Sequence, residues 1–422
     1  MTRRTGALAA SRPVAVIRVQ GPGAPSTGVL LDALRAALDG SGPALLPVPG
    51  GPAGNALVTA AALDQRVDDG TALLLPTTGS TGLPKIVEIG AHALLTSARA
   101  THTRIGPPGR WLLALPLTHV AGWQVLVRGL LSDDPDDHLP AVVPLDAGFS
   151  AVRLAETVGG AQRGGQHGAR VRYASLVPTQ LVRALEDPAA TAALRHLDVV
   201  LLGGSVAPEP LRRKASEKGV NVVGTFGSTE TCGGCVYDGV PLHGVTARVT
   251  ADGRLMLGGP VLARGYRGDE ELTRSTFPVI QGRRWYLSGD LAEVDDHGVV
   301  TVTGRADDVL VTGGENVSPA AVEASLAEHP LVREVVVVGV PDAQWGQAVV
   351  AVASLHAADG HQADVLASLR THVAAALGRH AAPRHLVVVD AVPTRGIGKP
   401  DRTAAQRLAE QSLSGPPAHF DR

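Results

Sequence analysis

The sequence contains very little cysteine and no marked excess of either charge. Two cysteines in 422 residues cannot form a disulfide framework, which excludes the small disulfide-stapled folds. A formal net charge of −2 provides no basic surplus, so we expect no nucleic-acid partner. No apolar run reaches the ~18–20 residues of a membrane span. Arg3 and Arg4 resemble a twin-arginine export signal, but residues 11–13 interrupt the apolar stretch that should follow. We therefore expect a cytoplasmic protein.

Lysine is also scarce, and arginine carries most of the basic charge. A lysine ammonium is a compact point charge, which the planar guanidinium group does not replace in a tight phosphate site. Each remaining lysine is therefore a candidate for a position where arginine would not serve. The four lysines are Lys85, Lys214, Lys218 and Lys399.

Hydrophobic residues make up 44% of the chain, enough for one large domain and a smaller one. Between residues 71 and 226, short apolar runs alternate with helix-length amphipathic stretches. This alternation predicts a layered α/β domain with parallel strands. The apolar runs are 72–75, 111–115, 141–145, 173–177, 198–202 and 220–225, and the helical candidates are 92–104, 120–131, 179–185 and 209–218.

The pattern changes twice after residue 231. Residues 232–305 predict a β-rich subdomain of short strands, with hairpin turns at 251–253 and 295–298. A compact α+β pattern follows residue 305. We therefore expect an N-terminal domain over residues 1–305, a small mobile C-terminal domain over residues 306–411 and a frayed tail over residues 412–422.

The first of five candidate functional segments runs from residue 73 to Lys85. A buried strand enters a loop of hydroxyl residues and glycines that ends in Pro84 and Lys85. Glycines let backbone N–H groups approach phosphate oxygens, hydroxyls add donors, and the lysine adds charge. The loop is not a Walker A motif, because proline stands where that motif has glycine before the lysine. Taken alone, the segment is equally compatible with a surface turn.

The other four segments are individually weaker. Glu230 follows a strand and is placed to ligate Mg²⁺ carried by a nucleotide, although a glutamate that begins a helix gives the same pattern. Asp290 follows a glycine at a strand end and suits a ribose diol, or a simple hairpin. Residues 304–319 lie at the expected domain boundary. Residues 392–399 form a loop with two glycines that presents Lys399.

Together, and in this order, the five segments resemble the adenylate-forming superfamily of acyl-CoA synthetases, peptide-synthetase adenylation domains and luciferases. The resemblance covers residues 71–402. Residues 115–128 and 229–240 are most similar to the o-succinylbenzoate–CoA ligases of actinobacterial type, which act in menaquinone biosynthesis. This resemblance implies ATP and coenzyme A as substrates, Mg²⁺ as a cofactor, and o-succinylbenzoate as the small-molecule carboxylic acid. The oligomeric state stays open, and a homodimer is one option.

The resemblance also implies roles for individual residues. Lys85, Glu230 and the mobile Lys399 are the implied catalytic residues, and Glu230 and Thr229 lie near Mg²⁺. The implied hinge is Asp307. The remaining positions are the phosphate loop Thr77, Thr78, Gly79, Ser80, Thr81 and Gly82, the adenine pocket Gly203, Gly204, Ser205, Thr225 and Phe226, the ribose contacts Asp290 and Arg305, and the pantetheine tunnel Gly313 and Gly314.

Two further residues are candidates for contact with the acid. His119 follows a strand end, where an α/β sheet places its ligands, although it could also be a packed histidine. Arg128 is the candidate partner for the carboxylate that does not react, and a solvated helix position is its alternative. Two other motifs, the elbow-like 203–207 and the pair Cys232 and Cys235, lack the partners that a hydrolase or a redox or zinc site would need. For the cysteines we expect pocket lining.

The resemblance implies a reaction in two steps. The carboxylate attacks the α-phosphorus of ATP while Lys399 bridges the two groups, and the C-terminal domain then turns about Asp307 to admit coenzyme A. Two alternatives remain open from the sequence. One is an aryl- or acyl-CoA ligase, or an amide synthetase, of a secondary-metabolite pathway. The other is an inactive nucleotide-binding relative, against which the intact Lys399, Glu230 and Asp290 argue.

Overall fold

The computed structural model of the chain describes residues 11–20, 24–61, 66–77, 85–132, 140–145, 148–163, 171–205, 207–356, 362–395 and 399–414. Within these ranges, no helix combines the length and the apolar character that crossing a bilayer requires.

The N-terminal residues form helices and a mixed sheet. Strands β2, β3 and β5 run parallel, whereas β6 runs antiparallel to β5. Strand β3 is buried along its whole length, as expected of a strand that is covered on both faces. The elements are β1 (Ser11–Arg12), β2 (Val14–Arg18), α1 (Thr27–Asp39), β3 (Ala44–Val48), α2 (Gly51–Ala60), β4 (Val67–Asp68), β5 (Thr71–Thr77) and β6 (Lys85–Gly90).

The next region contains a seven-stranded sheet in the order β13-β12-β11-β10-β9-β7-β8. Its five strands from β8 to β11 are parallel, which confirms the predicted layered α/β architecture. The elements are α3 (Ala91–Ile105), β7 (Arg110–Leu113), α4 (Val120–Leu130), β8 (Val142–Pro144), α5 (Ala151–Arg163), β9 (Val171–Leu176), α6 (Pro178–Glu186), α7 (Pro188–Arg195), β10 (Val199–Leu202), α8 (Glu209–Glu217), β11 (Val222–Ser228), the 3₁₀ turn η1 (Thr229–Thr231), β12 (Gly233–Tyr237) and β13 (Val240–Pro241).

One strand of the predicted parallel series belongs elsewhere. The run at residues 72–75 lies in β5, which joins the N-terminal sheet and pairs antiparallel with β6 rather than with β7. Only residues 78–84 separate β5 from β6. A connection this short joins antiparallel neighbours, whereas parallel strands need a crossover of a dozen residues or more.

Residues 246–305 form the larger part of the predicted β-rich subdomain, but residues 233–241, which the prediction also included, form β12 and β13 of the seven-stranded sheet. The order β14-β15-β18-β17, with β19 paired to β18, confirms both predicted hairpin turns. Strand β16 leaves this sheet and pairs with β6. The elements are β14 (Thr246–Val249), β15 (Arg254–Gly258), β16 (Gly265–Tyr266), α9 (Glu270–Thr276), β17 (Val279–Ile280), β18 (Arg283–Val294) and β19 (Val300–Arg305).

The C-terminal residues build a sheet in the order β21-β20-β23-β22, with β24 beside β23 and an apolar cluster on each face. Helix α12 continues through residues 412–414, so the expected frayed tail is wrong for these three residues. The boundary at residue 305 stays a prediction. The elements are β20 (Leu310–Thr312), β21 (Glu315–Val317), α10 (Pro319–Ala327), β22 (Val332–Asp342), β23 (Gly346–Leu355), α11 (Gln362–Leu377), β24 (His385–Val388), β25 (Thr394–Arg395), β26 (Lys399–Pro400) and α12 (Arg402–Ser414).

Candidate active site

A cavity of about 120 Å³ lies where the carboxyl ends of β7, β9, β10 and β11 meet the start of α4. Ligands of open α/β sheets bind at this edge, because the loops that follow parallel strands converge there. The cavity brings together residues that are far apart in the sequence. The predicted site residues that line it are His119, Arg128, Gly203, Gly204, Thr225 and Thr229.

Arg128 is a buried cation in the wall of this cavity. Only 3% of the residue is exposed, so the solvated alternative for this position is wrong. Its Nη2 donates to the hydroxyl of Tyr237 over 3.2 Å, and the guanidinium group lies 5.1 Å from the centre of the Trp111 ring. Its Nε is buried without a hydrogen-bond partner.

The surroundings of Arg128 do not neutralise its charge. Among the described residues, no carboxylate forms an ion pair with it, and burial lowers the pKa of Arg128 from its usual value. A buried charge is costly unless it is paired. The arrangement therefore favours an anionic ligand in the cavity.

Helix α4 supplies Arg128 from the same face that supplies Gln124. Residues four apart lie one above the other on a helix, and both side chains line the cavity. Gln124 Nε2 donates to the carbonyl oxygen of Cys232 over 2.8 Å, while its Oε1 has no partner. Gln124 was missed at the sequence level, and its spacing from Arg128 was the signal that could have found it.

The glycine after β10 permits a close approach between two strands. A Cβ atom on Gly203 would lie 2.3 Å from Thr225 Oγ1 on the neighbouring β11. Thr225 faces the cavity, whereas the next residue, Phe226, packs against the large core, because side chains alternate along a strand. Ser205 follows Gly204 and is half-buried. Neither Phe226 nor Ser205 lines the cavity, although both were predicted for the adenine pocket.

Lys85 and Glu230 lie on two sides of one tyrosine. The hydroxyl of Tyr266 donates to Glu230 Oε1 over 2.8 Å, and Lys85 Nζ lies 5.9 Å from the centre of the Tyr266 ring. Burial, with the nearby charge of Glu230, raises the pKa of Tyr266. The pairing of β16 with β6 brings Tyr266 close to Lys85, and Ala263 N–H donates to the Glu230 carbonyl oxygen over 2.8 Å, which holds Glu230 near the same segment. Tyr266 was missed at the sequence level, because no local pattern connects it to either partner.

The environment of Glu230 fits the magnesium role that the sequence predicts. The residue is 8% exposed, and no described lysine or arginine forms an ion pair with it. The described part of the chain also holds no cluster of three or more acidic, histidine or cysteine side chains that could bind a metal alone. Protein sites usually hold Mg²⁺ through one or two carboxylates together with substrate phosphates. Glu230 meets this requirement with a neutral tyrosine as its neighbour.

The predicted ribose and hinge residues form one charged group. Asp290 and Arg305 are register partners in β18 and β19, and Arg305 Nη1 lies 3.7 Å from Asp290 Oδ1. Arg305 also binds Asp307 with two hydrogen bonds of 2.8 and 2.9 Å. These bonds raise the pKa of Arg305 and lower that of Asp307. The arginine therefore connects the predicted ribose site to the predicted hinge.

The other predicted positions lie at two places. Thr77 ends β5 opposite Lys85, and its hydroxyl donates to the Lys85 carbonyl over 3.4 Å. Gly313 and Gly314 form the turn between β20 and β21, where a Cβ atom on Gly313 would lie 2.7 Å from Trp345. Lys399 pairs through its backbone with Arg395 in the β25–β26 ribbon, and its side chain lies outside the description. The phosphate-loop residues Thr78, Gly79, Ser80, Thr81 and Gly82 also lie outside the described residues.

The two cysteines belong to the core rather than to the cavity wall. Cys232 and Cys235 are fully buried, and it is Gly233 and Gly234 between them that line the cavity. The expectation of pocket lining is therefore wrong for the sulfur atoms, because Cys232 at the end of η1 and Cys235 in β12 both belong to the large core. Burial raises the pKa of both thiols, that of Cys235 to about 12.

Comparisons with known proteins show the family of the chain. Residues 321–399 match the AMP-binding enzyme C-terminal domain. A protein of Mycobacterium tuberculosis (strain CDC 1551 / Oshkosh) named "Probable 2-succinylbenzoate–CoA ligase" is 45% identical over 388 residues, which cover 92% of this chain and 96% of that relative. The chain belongs to this family of ligases. The 2-succinylbenzoate–CoA ligase of Bacillus subtilis (strain 168) is 29% identical, with 78% of this chain and 68% of that protein covered.

Solved structures place the fold in the same family. The o-succinylbenzoate CoA synthetase of Bacillus subtilis, in complex with its acyl-adenylate intermediate, matches with a TM-score of 0.66 and 26% identity over 90% of this chain and 81% of that one. The amide bond synthetase McbA from Marinactinospora thermotolerans matches with a TM-score of 0.70 over 94% of this chain and 90% of that one, but at 23% identity it shows the fold alone. The predicted superfamily, ligase subgroup and architecture are thus confirmed.

Proposed function

We propose that this chain is an AMP-forming ligase that converts 2-succinylbenzoate into its coenzyme A thioester through an acyl-adenylate, as a step of menaquinone biosynthesis in the cytoplasm. The choice of acid rests on the burial of Arg128 without a carboxylate partner among the described residues. A substrate with two carboxylates can react through one of them and leave the other as the missing counter-ion of this buried guanidinium group. An unsubstituted aromatic acid would leave Arg128 unpaired.

The first half-reaction needs positioning and charge neutralisation more than proton transfer. Asp290 and Arg305 bind the ribose, and Gly203, Gly204 and Thr225 surround the adenine. Lys85, with the hydroxyl loop before it, holds the departing phosphates. Mg²⁺, when bound through Glu230 near Thr229, supplies charge neutralisation at the phosphates.

Lys399 stabilises the transition state in which the carboxylate oxygen bonds to the α-phosphorus and pyrophosphate leaves. His119, at the start of α4, orients the acid from the cavity wall. A charge held in place before the reaction is effective at such a centre, because it does not have to reorganise as the negative charge moves.

The second half-reaction requires a different domain orientation. Residues 306–411 turn about Asp307, which withdraws Lys399 and brings the Gly313–Gly314 turn to the tunnel for the pantetheine arm. The sulfur of coenzyme A then bonds to the acyl carbonyl carbon, and AMP leaves. Closure and rearrangement of domains gate many enzymes in this way.

An acid panel tests the proposal. The purified chain is supplied with ATP, Mg²⁺ and coenzyme A, and AMP formation is measured with 2-succinylbenzoate, benzoate and medium-chain fatty acids. We expect the highest kcat/KM with 2-succinylbenzoate. A preference for another acid would contradict the assignment of 2-succinylbenzoate as the substrate. Adenylation without thioester formation would indicate an amide synthetase. Absent adenylation of every acid would indicate an inactive nucleotide-binding relative.

A further inference from the structure

A single guanidinium group connects the hinge region with the segment that carries Lys399. Arg402 is the first residue of α12, three positions after Lys399. Its Nε lies 3.0 Å from Oδ2 of Asp308, the residue that directly follows Asp307. The two segments are distant in the sequence, and this ion pair joins them in space.

The other side of the same guanidinium group binds the body of the C-terminal region. Arg402 Nη1 lies 2.5 Å from Glu323 Oε1 in α10, and Nη2 lies 3.0 Å from Glu323 Oε2. Nη1 also donates to the carbonyl oxygen of Val337 in β22 over 2.8 Å. Glu323 in turn accepts from the backbone N–H of Val337 over 2.8 Å. A planar fork with five donors suits such a junction, and lysine would not replace it.

The location of Arg402 is unfavourable by helix electrostatics alone. A cation in the first turn of a helix opposes the positive end of the helix dipole. Two partly buried carboxylates, Asp308 and Glu323, offset this cost, and ion pairs that are partly buried are screened less by salt than exposed ones. The two carboxylates therefore hold Arg402 at the N-terminus of α12, although the helix dipole disfavours a cation there.

Little chain separates Arg402 from the lysine. Three residues span at most about 11 Å. Lys399 is held through its backbone in the β25–β26 ribbon, and Asp401 N–H donates to the carbonyl oxygen of Pro393 over 2.8 Å. Asp401 also caps α12 by accepting from Ala404 N–H over 3.1 Å. Because this segment is short and fixed by hydrogen bonds, a displacement of Asp308 should also displace the backbone of Lys399.

We propose that Arg402 is a positioning residue for the adenylation half-reaction, and that its contact with Asp308 fixes the distance between the hinge and Lys399. This inference rests on the proposed function, in which Lys399 acts only in that half-reaction. The effect is large because an active-site group displaced by about 1 Å can lose roughly 10²-fold in rate.

The test removes the contact between Arg402 and the hinge region. Asp308→Ala removes the ion pair with Arg402 and leaves the Arg402–Glu323 pair intact. Rapid-quench measurements follow adenylate formation, and separately thioester formation from synthetic acyl-adenylate and coenzyme A. We expect adenylation kcat to fall roughly 10- to 100-fold, with the KM for ATP within about twofold and thioester formation unchanged. Glu410→Gln, on the exposed face of α12, removes the same charge and should change neither reaction.

Two further variants, Arg402→Ala and Lys399→Ala, distinguish failure of this inference from failure of the proposed function. Arg402→Ala should slow adenylation at least as much, and the double variant with Asp308→Ala should be no slower than Arg402→Ala alone. Normal adenylation in Asp308→Ala, or equal losses in both half-reactions, would overturn the inference even if Arg402→Ala fails to fold. If Lys399→Ala loses adenylation while the other variants keep it, only this inference fails. If Lys399→Ala keeps it, the proposed role of the lysine fails as well.

Discussion

The hydroxyl of Tyr266 donates a 2.8 Å hydrogen bond to Oε1 of Glu230, and this bond orients the only carboxylate that we assign to magnesium. Glu230 is buried and Tyr266 is half-buried, so water competes only in part for this hydrogen bond. The groups that orient a metal ligand commonly tune the affinity of the site.

Replacing Tyr266 by Phe should weaken magnesium-dependent ATP binding. Without the hydroxyl donor the Glu230 carboxylate loses its fixed orientation, and loss of such a partner typically costs roughly 10- to 100-fold in metal affinity. Calorimetric titration of ATP with and without Mg²⁺ measures the change. Glu230→Gln should give a larger loss in the same titration. If the Mg²⁺ dependence of ATP binding is unchanged in both variants, the assignment of Glu230 as a magnesium ligand is wrong.

Replacing Arg128 by Leu should discriminate between acids. The interaction of a charged donor with a carboxylate is worth about 1.5–3 kcal/mol, which corresponds to roughly 10- to 100-fold in kcat/KM for 2-succinylbenzoate. The loss with benzoate should be much smaller, because benzoate offers no second carboxylate. Arg172→Leu is the matched control, since Arg172 pairs with Asp198 and stacks on Tyr173. Equal losses on both acids would show that Arg128 is structural.

Replacing Asp290 by Ala should raise the KM for ATP by roughly 10- to 100-fold, because the ribose diol loses a charged acceptor. Arg305 keeps its two bonds to Asp307, so the fold near the hinge should persist. Asp252→Ala, in a hairpin of the same sheet, is the control. A KM for ATP that stays at the wild-type value would contradict the ribose assignment.

The buried cysteines give a prediction that depends on pH. Folding raises the pKa of both thiols, that of Cys235 to about 12, so the unfolded chain loses these protons more easily. The free energy of unfolding should therefore fall as the pH rises above about 8.5, the usual pKa of a thiol, and this fall should be smaller in a Cys232→Ala/Cys235→Ala variant. A thiol reagent at pH 8 should label the chain only after denaturation. Rapid labelling of the native protein would show that the cysteines are accessible.

Local patterns were sufficient for most of the fold. The strands from β7 to β11 and the hairpins at 251–253 and 295–298 follow from periodicity and turn residues that lie close together in the sequence. The separate sheet of β5 was not predicted, because alternation of apolar runs does not specify which strands pair. Cys232 and Cys235 were misplaced for a related reason: the sequence does not show whether the side chains before and within β12 face the cavity or the core.

Individual site residues could be proposed from sequence motifs, but the contacts between them could not. Thr225 and Gly203 were assigned from the resemblance, and the structure adds the close contact that requires a glycine. The contacts between Tyr266 and Glu230, and between Arg402 and Asp308, join residues that are remote in the chain, so no local pattern could give them. Long-range pairing of strands and helices creates these contacts, and only the folded structure shows them.

The formation of an acyl-adenylate is the central claim, and mass spectrometry of a reaction without coenzyme A tests it most directly. With ATP, Mg²⁺ and 2-succinylbenzoate, the enzyme should accumulate the mixed anhydride of the acid with AMP and release pyrophosphate. Addition of coenzyme A should then convert that intermediate into thioester and free AMP. Release of ADP and an acyl phosphate, or thioester formation with no adenylate at any time, would contradict the account.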